Sequence, residues 1–210
     1  MDVRDNNKGI HTFLKSVKGK KIKSLKKISV LYSKDLTQEG LTNFASISKS
    51  AEISEIQCLY LHGGVDMKLS KMDTSALANL LKITSKQIFI DTFILTEDDL
   101  KVLMENSTKT QELVISNCRI PKLEENFAIS KTLKSSLQKL DLYYTLVKDE
   151  KEFMTESKAR AFLDAISKSG LKNTLKSIHY HIDDYSKDEL EDMIRGYNMK
   201  IRVMGDLKEP

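Results

Sequence analysis

The stretch Leu137-Gln-Lys-Leu-Asp-Leu-Tyr-Tyr-Thr-Leu-Val147 constrains the fold most strongly. Its apolar residues fall at positions 1, 4, 6 and 11, with the small Thr145 at position 9. Positions 4 and 6 alternate with polar neighbours, the mark of a strand with one buried face. The same spacing recurs in phase at Ile56–Gly64, with Leu59 and Leu61, and at Glu112–Ile120, with Leu113, Ile115 and Cys118 at position 9. Looser copies start at Leu25 (Ile28, Val30), Gln87 (Ile88, Ile90), Leu175 (Ile178, Tyr180) and Ile201 (Val203). With position 4 as marker, the copies sit at residues 28, 59, 88, 113, 140, 178 and 201, at intervals of 31, 29, 25, 27, 38 and 23.

Between the strands run segments with helical spacing. Leu36, Leu41, Phe44 and Ile47 follow the first strand, and Leu77, Leu80 and Leu81 follow the second, with Asp73 or Thr74 as N-cap. Thr96 is expected to cap Glu97-Asp98-Asp99-Leu100, whose acids suit the positive end of a helix. Phe127 and Ile129 return from the fourth strand. The fifth return carries a charged insertion, Lys148–Glu152, then Ala161, Phe162, Ala165 and Ile166, with Gly170 as C-cap. Ser186 and Glu189 make a capping-box signature ahead of Leu190, Met193 and Ile194.

These repeats resemble the leucine-rich repeats of the ribonuclease-inhibitor-like class, whose units run to about 20–29 residues. The resemblance covers roughly residues 25–205, in a repeat domain of residues 25–206. It implies an α/β solenoid of about six to seven repeats, with a curved parallel sheet and helices on its convex side. Residues 1–24 then form a basic N-terminal segment. Its first nine residues are polar and loose, and Ile10, Phe13, Leu14 and Val17 make a short capping helix stopped by Gly19. Residues 207–210 are a polar tail. A doubly wound sheet shares the alternation of strand and helix. Two features disfavour it: Gly63-Gly64 lacks the further glycine and the lysine of a phosphate loop, and the strands alternate rather than run continuously apolar.

Composition narrows the class further. No apolar run approaches the roughly 18–20 residues that span a bilayer. The N-terminus, Met-Asp-Val-Arg-Asp-Asn-Asn-Lys, lacks the apolar core of a secretory signal, and Asp2 and Asp5 are unlike a mitochondrial presequence. A cytoplasmic or cytoskeletal setting is expected, with a mitochondrial one as the alternative. Cys58 and Cys118 fit no zinc spacing, and are expected to be two reduced, buried thiols. The net charge of +4 is uneven: residues 1–27 hold nine Lys/Arg against two Asp, so the remainder is −3. The basic character is assigned to the N-terminal segment, as a patch of Lys15, Lys18, Lys20, Lys21, Lys23, Lys26 and Lys27.

On the repeat reading, positions 5 and 7 face the open concave side. Position 5 holds Ser29, Tyr60, Phe89, Val114, Asp141, His179 and Arg202; position 7 holds Leu31, His62, Asp91, Ser116, Tyr143, His181 and Met204. Such a face suits a protein ligand. Its candidate contacts are Tyr60, His62, Phe89, Asp91, Asp141, Tyr143, His179, His181 and Arg202, with the aromatics either anchoring a partner or packing across strands. His179 and His181 share a face, but His62 lies four rows away, about 19 Å, too far to complete a metal site. No nucleophile elbow is present, so neither catalysis nor a cofactor or metal is expected. The expected role is a non-enzymatic protein–protein interaction module, a structural or adaptor subunit within a multi-subunit complex. The alternatives are a regulator or substrate receptor in small-GTPase or ubiquitin pathways, and nucleic-acid binding through the lysine-rich segment, which has no interleaved aromatics for base stacking.

Overall fold

The computed structural model describes residues 2–3, 6–30, 37–45, 47, 51–64, 66–72, 74–143, 156–180 and 187–204. The chain is an α/β protein built on an eight-stranded sheet in which every pairing is parallel. Its strands are β1 (Asp2–Val3), β3 (Leu25–Val30), β5 (Ile56–His62), β6 (Thr84–Asp91), β7 (Glu112–Ser116), β8 (Lys139–Tyr143), β9 (Ser177–Tyr180) and β10 (Arg202–Met204). A second, two-stranded sheet pairs β2 (Lys21–Ile22) with β4 (Glu52–Ile53). The helices are α1 (Asn6–Val17), α2 (Gln38–Ala45), α3 (Thr74–Ile83), α4 (Glu97–Asn106), α5 (Glu156–Lys168) and α6 (Lys187–Gly196).

Strand order in the large sheet follows chain order from one edge to the other. A doubly wound sheet reverses direction at a switch point, and none occurs among the described strands. The register aligns the apolar markers: Ile28, Leu59, Ile88, Leu113, Leu140 and Ile178 pair in one unbroken row. Two residues on, Val30, Leu61, Ile90, Ile115 and Leu142 form a second. Both rows are buried in one apolar cluster with Ile10 and Phe13 of α1, Phe44 of α2, Leu80 of α3, Leu103 of α4, Phe162 of α5 and Ile194 of α6. The helices therefore share the face of the sheet that carries positions 4 and 6.

The last strand departs from the sequence reading. Val203, not Ile201, pairs with Ile178, and Met204 pairs with His179. A slip of two residues keeps every side chain on its face, and Ile201 and Val203 are equally suited to a buried position. The N-terminus also differs. Asp2–Val3 pairs with Ser29–Val30 rather than lying loose, so α1 sits between two strands. Gly19 takes φ 70°, the left-handed backbone that ends α1.

Gly170 is not a left-handed cap: Gly19 alone among the described glycines has positive φ. Gly170 opens a short 3-10 turn, Gly170–Asn173, capped by Ser169. Its constraint is closeness, because a Cβ there would meet the Leu133 carbonyl oxygen at 1.8 Å.

The turns after β5, β6 and β7 stack as well. Gly63 N–H donates to Asp91 O at 2.8 Å and Thr92 N–H to Ser116 O at 3.0 Å. A further ladder joins Lys68, Ile94 and Arg119. The buried Cys118 thiol reaches Ile90 O at 3.8 Å, as a small group at position 9 is expected to do. Thr92 and Asn117, each the first residue past its strand, have φ 60° and 50°, and Gly63 holds the equivalent place under the Phe93 ring.

Candidate functional site

The face opposite the core is set by the pleat: residues alternate sides, so positions 3, 5 and 7 point away from the helices. Position 3 gives Lys27, Cys58, Gln87, Glu112, Lys139 and Ser177. Position 5 gives Ser29, Tyr60, Phe89, Val114, Asp141, His179 and Met204. Position 7 brings His62, Asp91, Ser116 and Tyr143 side by side. Leu31 and His181 lie outside the described residues, as do the side chains of Tyr143 and Met204. Arg202 is not in the position 5 row; it pairs with Ser177 and is exposed.

A continuous polar chain crosses five strands on this face. The Lys27 ammonium lies 4.2 Å from the centroid of the Tyr60 ring. The Tyr60 hydroxyl donates to Gln87 Oε1, and Gln87 Nε2 donates to Glu112 Oε2 at 2.7 Å. Lys139 Nζ then bridges Glu112 Oε1 at 2.7 Å and Asp141 Oδ2 at 2.8 Å. Five strands supply the six residues at neighbouring register positions, β8 giving both Lys139 and Asp141, so the parallel pairing assembles the chain. Hydrogen bonds from Lys139 to Asp141 and Glu112 hold its ammonium above the ordinary lysine range. Partial burial, with Cys58 and Glu112 nearby, raises the Tyr60 phenol.

Tyr60 and Phe89 stack with ring centroids 5.5 Å apart and planes 23° from parallel. They are half-buried, so cross-strand packing accounts for part of their surface. Val114, next in the row, is buried but is not part of the core cluster. At position 7 the Asp91 carboxylate meets His62 Nδ1 on one oxygen and accepts from Asn117 Nδ2 at 2.8 Å on the other.

Positions 5 and 7 do not all lie open to solvent. Asp91 is 6% exposed, Asp141 8% and Ser29 2%. Short side chains between long neighbours in adjacent rows lose their solvent, and a linear sequence does not display those lateral neighbours. Among the described residues the buried Asp141 Oδ1 has no hydrogen-bond partner, while its other oxygen is held by Lys139.

Other candidates have structural roles. Thr96 and Asp99 form a capping box: Thr96 Oγ1 accepts from Asp99 N–H at 3.2 Å, and Asp99 Oδ2 accepts from Thr96 N–H at 2.8 Å. Glu97 accepts from the Glu124 N–H. A concavity of about 280 Å³ beside this cap is lined by Leu95, Thr96, Glu97, Asp98, Pro121 and Lys122. Both cysteines are free, but only Cys118 is buried; Cys58, on the outward face, is half-exposed. Among the described residues no three metal-ligating side chains converge, and no helix is long and apolar enough to cross a membrane. Ser186 lies outside the described residues.

All seven lysines of the proposed basic patch are exposed, and Lys21 pairs with Glu52 at 3.5 Å. No family model matches this chain, and no curated protein and no solved structure is similar to it.

Proposed function

We propose that this chain is a leucine-rich-repeat solenoid of the ribonuclease-inhibitor-like class, acting as a non-enzymatic adaptor or structural subunit. Its outward sheet face is the docking surface for a protein partner. The observation that carries the reading is the in-register grid of side chains opposite the core, with the Tyr60–Phe89 stack beside the polar chain ending at Asp141. Strand order in chain sequence and the stacked turns after β5 to β7 support the repeat assignment.

Aromatic side chains suit such a role because they offer large contact area at small entropic cost.

The test is affinity purification of the full chain from its own cells, beside a Tyr60→Ala/Phe89→Ala double variant matched for thermal stability. A stoichiometric protein that survives high salt and is lost with the double variant supports docking on this face. Retention of that protein by an equally stable double variant overturns it.

A further inference from the structure

Lysines occur far beyond the N-terminal segment, and the fold gathers them. Because every strand is parallel, all strand starts lie along one edge of the sheet. The ladder continues past the strands there: Gln111 N–H donates to Lys86 O, Lys176 N–H to Gln138 O, and Arg202 N–H to Lys176 O. On the other side, Glu52 N–H donates to Lys20 O and Leu25 N–H to Glu55 O. Lys20, Lys23, Lys26, Lys86, Lys176 and Lys200 therefore belong to one edge, and all six are exposed. Lys109 lies just before β7 on the same edge and is also exposed. Among the described residues, neither Lys23, Lys26, Lys86, Lys109 nor Lys200 has a carboxylate in ion-pair range.

The opposite edge, where strands end and helices begin, is mixed, with Lys68 and Lys122 exposed among its acids. Asp66, Asp98, Glu125 and Asp188 are exposed there. The net −3 of residues beyond 27 thus conceals a lysine-rich edge. Helix dipoles explain acids in first turns and lysines in last turns, such as Lys82 of α3. They do not explain Lys23, Lys26, Lys86, Lys176 or Lys200, which lie in strands and turns. Glu52 and Glu55 interrupt the edge, but Glu52 is paired with Lys21, and Glu55 accepts from Ser24 and Ser85.

We infer that this edge is a track for the phosphate backbone of a nucleic acid. From β3 to β10 the edge crosses six inter-strand steps of about 4.8 Å, roughly 29 Å, the axial length of about eight base pairs. Positive charge set along a line matches a linear polyanion. From β6 to β9 the groups between the lysines include the amides Gln111 and Gln138, both exposed and able to donate to phosphate oxygens. The exposed residues named here include no aromatic or large aliphatic group of the kind that anchors a protein in a membrane interface. Recognition is of backbone only, without sequence preference.

The test is fluorescence anisotropy with the full chain, a labelled duplex of about 20 base pairs, a labelled single strand of equal length, and vesicles rich in phosphatidylserine, each across a salt series. The informative variant is Lys86→Gln/Lys109→Gln/Lys200→Gln, which leaves residues 15–27 untouched; its melting temperature is recorded beside the parent's. We expect duplex or single strand to bind, and the variant to bind about tenfold or more weakly, with the salt slope reduced by about 2.7, or 0.9 for each lysine. Unchanged nucleic-acid affinity in the variant overturns the track and returns the contact to the N-terminal lysines. Binding to vesicles alone, or to none of the probes, also overturns it.

Discussion

The Cβ that Gly170 lacks would stand 1.8 Å from the carbonyl oxygen of Leu133, two segments that the fold presses together backbone to backbone. Backbone cannot swing aside as a side chain can. Gly170→Ala is therefore expected to cost about 3 kcal/mol or more, read from the urea midpoint at constant slope. At Gly63 the neighbour is the Phe93 ring, 2.6 Å from the same virtual atom. A ring tilts more readily, so Gly63→Ala is expected to cost less, about 1–2 kcal/mol. Gly196, at the end of α6, has nothing within 4 Å, and Gly196→Ala should stabilise by about 0.5 kcal/mol.

The capping box at α4 gives a second prediction. Thr96→Ala leaves the Asp99 N–H without its acceptor and is expected to cost about 1 kcal/mol in chemical denaturation.

Asp99 itself sets a pH dependence. Burial raises its carboxyl above the ordinary value of 3.8, against the lowering effect of the Thr96 hydrogen bonds. The folded state therefore binds the proton more tightly than the unfolded state, so this group's contribution is fully present below 3.8 and is lost as pH rises through the folded value. Lowering the pH from 6 toward 4 should shift the stability difference between the parent and Asp99→Asn in favour of the parent. A difference that stays flat over that range contradicts the assignment.

Lys139 is the hub of the outward polar chain. Lys139→Ala strips Asp141, itself 8% exposed, of its only ion-pair partner among the described residues. Because the lysine is partly solvated, the expected loss is about 1–2 kcal/mol rather than the full cost of a deeply buried pair. The sign with pH is the reverse of a carboxylate salt-bridge effect. With the ammonium raised by Asp141 and Glu112, its contribution is complete below the ordinary value of 10.5 and is lost as pH rises through the folded value. Alkaline titration should narrow the stability gap between the parent and Lys139→Ala.

Thiol reactivity separates the two cysteines. Burial pushes the Cys118 thiol up to about 12, so it carries almost no thiolate at neutral pH. A thiol-reactive dye should label Cys58 within the mixing time of a native assay. Cys118 should label only at the rate of unfolding, and both at once in denaturant.

Much of the fold is legible in the residues. Ile28, Leu59, Ile88, Leu113, Leu140 and Ile178 announce themselves because a buried position in a strand demands an apolar side chain, and they pair in one row. The end of the sheet is less so: Ile201 and Val203 are both branched and two apart, so the pattern accepts either register. The early part of β6, Thr84–Lys86, carries no apolar alternation and is held by partners elsewhere, such as Thr110 Oγ1 on Thr84 O at 2.8 Å. The candidate face is legible as a set of residues but not as a surface. That Asp91 and Asp141 are buried, and that Tyr60 rests on Phe89, depends on neighbours about 25 to 40 residues away along the chain. The basic edge is hidden for the same reason, since its lysines are scattered from residue 20 to residue 200.

The order of the sheet bears on how the molecule is made. Each strand after β3 pairs with the strand that precedes it in the large sheet, so its partner has already been synthesised when it leaves the ribosome. No strand waits for a later one to be inserted between it and its neighbour. Assembly can thus advance in step with translation, each new unit closing over the apolar edge left by the last.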